Sequence, residues 1–305
     1  MRRLSNYENW AKDLPKKKEE MSLVKYMEYF SKRKEELGRS SSRAYTVKAT
    51  INHIIRFAPR NIPIREVDKN FCLCFIKYLR NYRRKGKTLS VSTQLMYFNL
   101  FNSVLNRAVK EEIIEFNPIS KIPLDEKIKS EYKICSFLTL EEINILKESD
   151  YNHPVKQAFL FCCYCGLRYS DVVNLKWKDI SYINSRAFIN ITCKKTGTPI
   201  LIPLCNNAIN YLPIGNIKCP NDEIFKLQSA RSSQYAMKEW IRRCGLNKRI
   251  TFHTSRHTFA TLLYTNGADI YTISKLLGHR SLNSTQIYAS VIDKKKIEAI
   301  KLLDL

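Results

Sequence analysis

The stretch HTSRHTFATLLYTNG, residues 253–267, holds two of the chain's five histidines, both within one helical turn of an arginine. Its apolar residues are closely spaced and it ends in a glycine, a pattern typical of a buried helix and its stop signal. His253 and Arg256 are three positions apart and therefore lie on one face of such a helix. The stretch predicts a helix that packs into a core and also presents a polar cluster.

The charge of the chain indicates its partner. Lys and Arg number 52 against 28 Asp and Glu, so the net charge is +24, with a pI of about 9.6. This excess is larger than solubility requires and predicts a polyanion as partner. When the chain is divided at residue 120, its halves carry +13 and +11. Because neither half is only a basic tail, we expect a protein that grips nucleic acid from two sides.

Length and composition indicate a globular protein of about two domains, since the chain has 305 residues and is 44% hydrophobic. The charged N-terminal sequence lacks the apolar stretch of a signal peptide. The longest apolar run, FLFCCYCGL, is too short to cross a bilayer. We therefore expect a cytoplasmic protein with no membrane partner, whose ten cysteines stay reduced.

Cys162, Cys163 and Cys165 contain a C-x-x-C spacing that has two interpretations. A metal or redox motif would have a second ligand pair or a place at the start of a helix, and the sequence shows neither. As the end of an apolar run, the thiols would instead pack in a core. We favour core packing and predict no metal site.

Start and stop signals predict a helical bundle in the first part of the chain. The predicted helices run from Ser22 to Gly38, from the serines at 40–42 to Pro59, from Asp68 to Gly86, and from Ser90 to Asn117 and Pro118. Apolar residues recur at helical spacing in the last of them, as at Val91, Leu95, Phe98 and Leu105. Two prolines and little periodicity then predict a linker.

The second part of the chain predicts a mixture of helices and a hairpin. Thr139 and Glu142 form a capping-box pattern, and a helical run continues to Gly166. RAFINITC and PILIPL flank KKTGT, which predicts a β-hairpin, and the pattern is helical again from residue 229. The expected divisions are a short basic segment, residues 1–20, a helical domain, 21–116, a linker, 117–138, and a second domain, 139–305.

Four short stretches of the second domain carry polar residues in a fixed order. CGLRYSD contains Arg168, the hairpin turn contains Lys195, HTSRHT contains His253 and Arg256, and LGHRSLNSTQIYAS contains His279 and Tyr288. Together these motifs resemble the tyrosine recombinase family, also called phage-type integrases. The resemblance covers most of the chain. It implies a mainly α fold with a small β-sheet, built from a helical core-binding domain and an α+β catalytic domain.

The resemblance implies a site-specific DNA recombinase that cleaves and rejoins strands through a 3′-phosphotyrosine intermediate, in integration, excision or inversion. The phosphate gains negative charge during in-line attack, and a guanidinium group can donate two hydrogen bonds to its oxygens. Arg168 and Arg256 would therefore bind the phosphate. His253 and His279 would add hydrogen bonds to the same phosphate oxygens. His253 would also be able to take the proton of the nucleophile, Tyr288. Lys195 would protonate the departing 5′-oxygen.

Three further residues, Asp171, Ser255 and His257, neighbour this set in the sequence. Asp171 stands where many relatives have glutamate, and Ser255 where leucine is common; both substitutions keep the reacting groups intact. His257 is adjacent to Arg256 and is expected to support it, without a catalytic role of its own.

The expected partner is double-stranded DNA at specific sites, with no small-molecule substrate. The covalent link conserves the phosphodiester energy, so no ATP, metal or other cofactor is expected, and the sequence has no phosphate-binding GxxxxGK[ST] loop. A type IB topoisomerase and a non-catalytic DNA-binding regulator remain alternatives. Because only about twenty residues precede the bundle, we favour a simple recombinase, for example one that inverts DNA.

The last residues, DKKKIEAIKLLDL, predict a helix that docks on a neighbouring subunit in a tetrameric synapse. Asp293 would cap it, and Ile297, Ile300 and Leu303 would form its apolar stripe. Packing against its own domain is the alternative.

Overall fold

Side-chain caps begin two helices of the first part of the chain where the sequence predicts them. A computed structural model describes residues 21–36, 41–130, 136–213 and 219–289, which divide into two units, residues 1–132 and 133–305. Asp68 accepts a hydrogen bond from the Phe71 amide and Ser90 from the Thr93 amide. In the first unit the helices are α1, Leu23–Glu36, α2, Ser41–Phe57, α3, Lys69–Asn81, and α4, Val91–Lys110.

Two of these helices end earlier than predicted. The third ends at Asn81 because the next residues form a two-stranded hairpin, β1, Arg83–Arg84, and β2, Lys87–Thr88. The fourth ends at Lys110, and Glu112 adopts a left-handed conformation with φ +58°, which cannot continue an α-helix. Short 3-10 turns at Ile64–Glu66 and Pro118–Lys121 complete the regular structure.

The core of the first unit is built from aromatic and aliphatic side chains of all four helices. Phe75, Phe101 and Tyr26 are fully buried in it. The region expected to be a linker also contributes, since Ile119, Ile122 and Ile128 are buried in the same cluster. The first half of that region is therefore packed structure and not a free connection.

The second unit begins with the predicted capping box, in which Thr139 and Glu142 exchange hydrogen bonds. Its helices are α5, Leu140–Glu148, α6, Pro154–Cys165, α7, Tyr169–Val172, α8, Asn206–Ile209, α9, Ala230–Arg243, α10, Phe252–Thr265, α11, Ile270–Leu276, and α12, Asn283–Ala289. Cys162, Cys163 and Cys165 are fully buried at the end of α6, which confirms their packing in the core.

The predicted hairpin is present and is part of a larger sheet. Strands β4, Arg186–Thr192, and β5, Pro199–Pro203, flank the turn, and a third antiparallel strand, β3, Ile180–Ile183, pairs with β4. Ile189 pairs with Ile180 on one side and Ile202 on the other. The mainly helical fold with small antiparallel sheets is thus confirmed. None of the helices in the described ranges has the length and apolar character needed to cross a membrane.

Candidate active site

Arg256 is fixed in the interior of the second unit by the ends of two helices. Its side chain, from the middle of α10, is only 2% exposed. One guanidinium nitrogen, Nη1, donates to the Gly166 carbonyl at 2.8 Å, and Nη2 donates to the Leu277 carbonyl. These carbonyls follow α6 and α11, where helix C-termini leave acceptors unpaired and favour a cation. Burial, and then the positive charge of Arg168, lower the pKa of Arg256 to about 10.

Gly166 makes this arrangement possible. It ends α6 in the left-handed conformation, with φ +70°, and a Cβ atom at this position would lie 2.4 Å from Phe259 Cδ1. Only glycine adopts this conformation readily and lets α6 approach α10 so closely. The sequence motif CGLRYSD therefore needs its glycine to bring the carbonyl to Arg256.

Arg168 lies two positions after Gly166, and two neighbouring side chains contact its guanidinium group. Its Nη1 atom lies 3.7 Å from Cys193 Sγ and 3.9 Å from Asp171 Oδ2. The other carboxylate oxygen of Asp171 accepts a hydrogen bond from the Lys194 backbone amide at 3.0 Å. The shorter acidic residue, which the sequence marked as a departure from the family pattern, thus joins Arg168 to the hairpin turn.

Lys195 occupies this turn and its side chain is exposed. Its connection to the cluster is electrostatic: neighbouring protein atoms desolvate the ring of His253 and lower its pKa, and the charges of Arg256, Lys195 and Arg168 lower it further. Arg280 donates a hydrogen bond to the Thr196 carbonyl and so ties the turn to the loop that contains His279.

His279 and Tyr288 lie on either side of the start of α12. The half-buried His279 contacts the Thr285 hydroxyl through Nδ1 at 2.8 Å. Tyr288 is only 2% exposed and packs in a small apolar cluster with Phe259, Ala260, Ile273 and Leu277. The short helix thus carries one residue that supports His279 and another whose phenol contacts His257 of α10.

His257 makes a contact that the sequence does not predict. Its Nδ1 atom lies 2.9 Å from the Tyr288 hydroxyl, and both side chains are buried. Its ring also packs against His253, with centroids 4.4 Å apart at 75°. The i, i+4 spacing of the two histidines was the available signal, because it places both on one side of the helix.

The electrostatics of the site keep its buried histidines neutral near pH 7. Burial, followed by the charges of Arg256 and Arg168, lowers the pKa of His279 to about 4. Burial, then His253 and Arg256, lowers the pKa of His257 to about 4. Two arginines with so little compensating charge form a site suited to an anion.

The structure therefore places Arg168, His253, Arg256 and His279 close enough for the charges of the two arginines to act on the histidines. Tyr288 joins it through His257, and Lys195 stands at its exposed edge. Within the described ranges, no three His, Cys, Asp or Glu side chains are arranged to hold a metal ion. The arrangement can bind a phosphate between fixed cations and present a tyrosine hydroxyl to it.

Comparison with known proteins agrees with this site. Residues 136–295 match the phage integrase family, and residues 22–128 match the phage integrase SAM-like domain. The chain belongs to the phage integrase family and is a tyrosine-type site-specific recombinase.

Its relatives include a tyrosine recombinase of Pseudothermotoga lettingae, 30% identical over 85% of this chain and 92% of the relative. A tyrosine recombinase XerC of Caldanaerobacter subterraneus is 30% identical over 78% and 69% of the two chains. These relatives are recombinases, which favours recombination over relaxation of supercoils or regulation without catalysis.

Solved structures share the fold. The Tn1549 transposon integrase in complex with a circular intermediate DNA has a TM-score of 0.73 at 15% identity, over 93% of this chain and all of that one. A lambda integrase dimer bound to a COC′ core site has a TM-score of 0.67 at 19% identity, over 88% and 95% of the two chains.

Proposed function

We propose that the second unit cleaves one DNA strand through Tyr288 while Arg168, Arg256, His253 and His279 bind the scissile phosphate. The observation that carries the proposal is the fixed position of Arg256, whose two backbone acceptors hold a buried cation beside the phenol. In-line attack adds negative charge to the non-bridging phosphate oxygens, and preorganised cations stabilise that charge without reorganising.

Lys195 is proposed as the donor that protonates the departing 5′-oxygen. Its exposed position at a hairpin turn allows contact with DNA, and its charge already acts on His253. The two roles differ chemically, since the arginines stabilise charge and the lysine transfers a proton.

The first unit is proposed to bind the DNA duplex, because it matches the integrase SAM-like domain and exposes a concentrated positive charge. The hairpin between α3 and α4 carries four exposed basic residues within five positions, namely Arg83, Arg84, Lys85 and Lys87. Such residues neutralise backbone phosphates. The domain boundaries proposed from the sequence, 21–116 and 139–305, separate these two roles.

The partner is proposed to be double-stranded DNA at specific recombination sites, with four protomers in the complete synapse. Solved neighbours contain integrases on DNA, one of them a dimer on a core site. The C-terminal segment proposed to link protomers, residues 293–305, lies outside the described residues. Truncation after Val291 removes this segment and should preserve binding of one DNA site while abolishing the pairing of two sites.

Since the substrate is cellular DNA, we also propose a cytoplasmic location.

The experiment uses short duplexes tiled across the DNA that flanks the gene, each with a nick that lets the cleaved end diffuse away. The protein should form an adduct that survives denaturation on specific duplexes and should exchange strands between two of them. On plasmids, the orientation of two such sites would then decide between inversion and excision. Efficient relaxation of supercoiled plasmid that lacks the site, without exchange, would contradict the proposal.

A further inference from the structure

The phenol of Tyr288 must lose a proton when it attacks phosphorus, and the structure points to a particular acceptor. The hydroxyl lies 2.9 Å from His257 Nδ1, within hydrogen-bond reach. The two groups meet in a buried environment, where Tyr288 is 2% and His257 9% exposed. Little bulk water is therefore available at the phenol to take the proton.

The other groups that face His257 favour this role. Arg256 is a cation and cannot accept a proton, and His253 packs its ring against that of His257. The buried imidazole is neutral near pH 7, since its pKa is lowered to about 4, first by burial and then by His253 and Arg256. A neutral ring has one nitrogen free to accept a hydrogen bond, and Nδ1 faces the phenol.

A bound phosphate changes the basicity of His257. Burial is the main cause of the lowered pKa, and the charge of Arg256 adds to it; a phosphate bound at Arg256 would offset that added part and raise the affinity of the ring for a proton. His257 is thus a weak base in the empty site and a stronger one when the reaction needs it.

We propose that His257 accepts the Tyr288 proton during strand cleavage and returns it during ligation, a role that rests on the proposed function. In cleavage, the phenol oxygen forms a bond to phosphorus, its proton moves to His257 Nδ1, and the bond to the 5′-oxygen breaks as Lys195 protonates that oxygen. Ligation reverses each transfer: the 5′-hydroxyl attacks, its proton goes to Lys195, and the departing phenol oxygen regains its proton from His257. Both histidine and lysine then return to their starting states.

The test replaces His257 by asparagine, whose amide oxygen still accepts a hydrogen bond but binds no proton at neutral pH. Single-turnover cleavage of the nicked duplex should slow by roughly 10²-fold or more, the usual contribution of general acid–base catalysis. The matched control is His253→Asn, which alters the neighbouring ring on the same helix.

A second substrate distinguishes a loss of proton transfer from a general disruption of the active site. In a Tyr288→Phe background, a DNA strand ending in a 3′-para-nitrophenyl phosphate can be joined to a 5′-hydroxyl, because nitrophenolate leaves without a proton. Adding His257→Asn should leave this ligation rate within about twofold, since only the phosphate site is then required. Adding His253→Asn should slow it, since His253 is placed at the phosphate.

The outcomes are distinct. Cleavage at an unchanged rate by His257→Asn, or equal losses in cleavage and in nitrophenyl ligation, would overturn the proton-acceptor role. Loss of cleavage alone supports it, and retained nitrophenyl ligation shows that the variant is folded. Adducts formed by Tyr288→Phe would instead contradict the nucleophile itself and with it the proposed function.

Discussion

Replacing Gly166 by alanine tests how the structure positions Arg256. This residue ends α6 with φ +70°, and an added Cβ would lie 2.4 Å from Phe259 Cδ1 and 2.8 Å from Cε1. Gly245, after α9 in the same unit, has the same φ of +70° but no atom within 4 Å of its Cβ position. The two glycines therefore share a backbone conformation, but an added Cβ would meet neighbouring atoms only at Gly166.

The expected losses in the free energy of unfolding follow from these distances. A left-handed conformation costs an L-residue about 1–2 kcal/mol, and this applies to both positions. Overpacking adds about 1–3 kcal/mol at Gly166 alone, because the Phe259 ring is buried and must move. We predict a loss of about 2–5 kcal/mol for Gly166→Ala and about 1–2 kcal/mol for Gly245→Ala.

Urea unfolding of the full chain measures both losses. Two of the chain's three tryptophans, Trp177 and Trp240, lie in the second unit, so tryptophan fluorescence contains a signal from its unfolding. Gly166→Ala should also slow cleavage more than Gly245→Ala does, since the Gly166 carbonyl holds Arg256. Equal destabilisation by the two substitutions would refute the close approach of α6 and α10.

Three further predictions concern the proton donor, the charge and the first unit. A DNA substrate with a 5′-bridging phosphorothiolate should rescue cleavage by Lys195→Ala, because its sulfur leaves without a proton. The same substrate should not rescue Arg168→Ala, which lacks a charge that stabilises the phosphate. Equal rescue of both variants would contradict the role of Lys195 as the proton donor. DNA affinity, measured by fluorescence anisotropy, should fall by a factor of ~10³ to 10⁵ between 50 and 200 mM salt, as expected for about 6–10 phosphate contacts. A shallow dependence on salt would contradict binding through many phosphate contacts. Glu111→Gln should lower the free energy of unfolding by about 1–3 kcal/mol, because the buried carboxylate accepts charged hydrogen bonds from the partly exposed Arg33 and Arg107 at 2.7 and 2.6 Å. A loss as small as that of the exposed Glu115→Gln would contradict this.

Much of the fold could be predicted from local signals. Asp68, Ser90 and Thr139 cap their helices as expected, because short polar side chains satisfy free amides at helix starts. The hairpin strands were recognisable from their β-branched residues. The six residues proposed for the active site stand in sequence motifs, and the structure places all of them in the second unit.

The remaining features depend on contacts that local patterns do not contain. The sequence does not predict strand β3, because the turn to β4 has Asn184 and Ser185 at positive φ, and serine stands at the second position where glycine is the usual signal. The buried isoleucines of the expected linker depend on a core formed by distant helices. His257 lies next to Arg256 in sequence, but its contact with a tyrosine 31 positions away appears only in three dimensions.

The most direct test of the account is to identify the residue that becomes joined to DNA. The denaturation-resistant adduct on a nicked duplex is digested, and mass spectrometry locates the tyrosine that carries the nucleotide through its 3′-phosphate. We predict attachment at Tyr288, no adduct with Tyr288→Phe, and DNA affinity nearly unchanged in that variant. Attachment at Tyr169, Tyr264 or Tyr271, or adduct formation by Tyr288→Phe, would contradict the role of Tyr288 as the nucleophile.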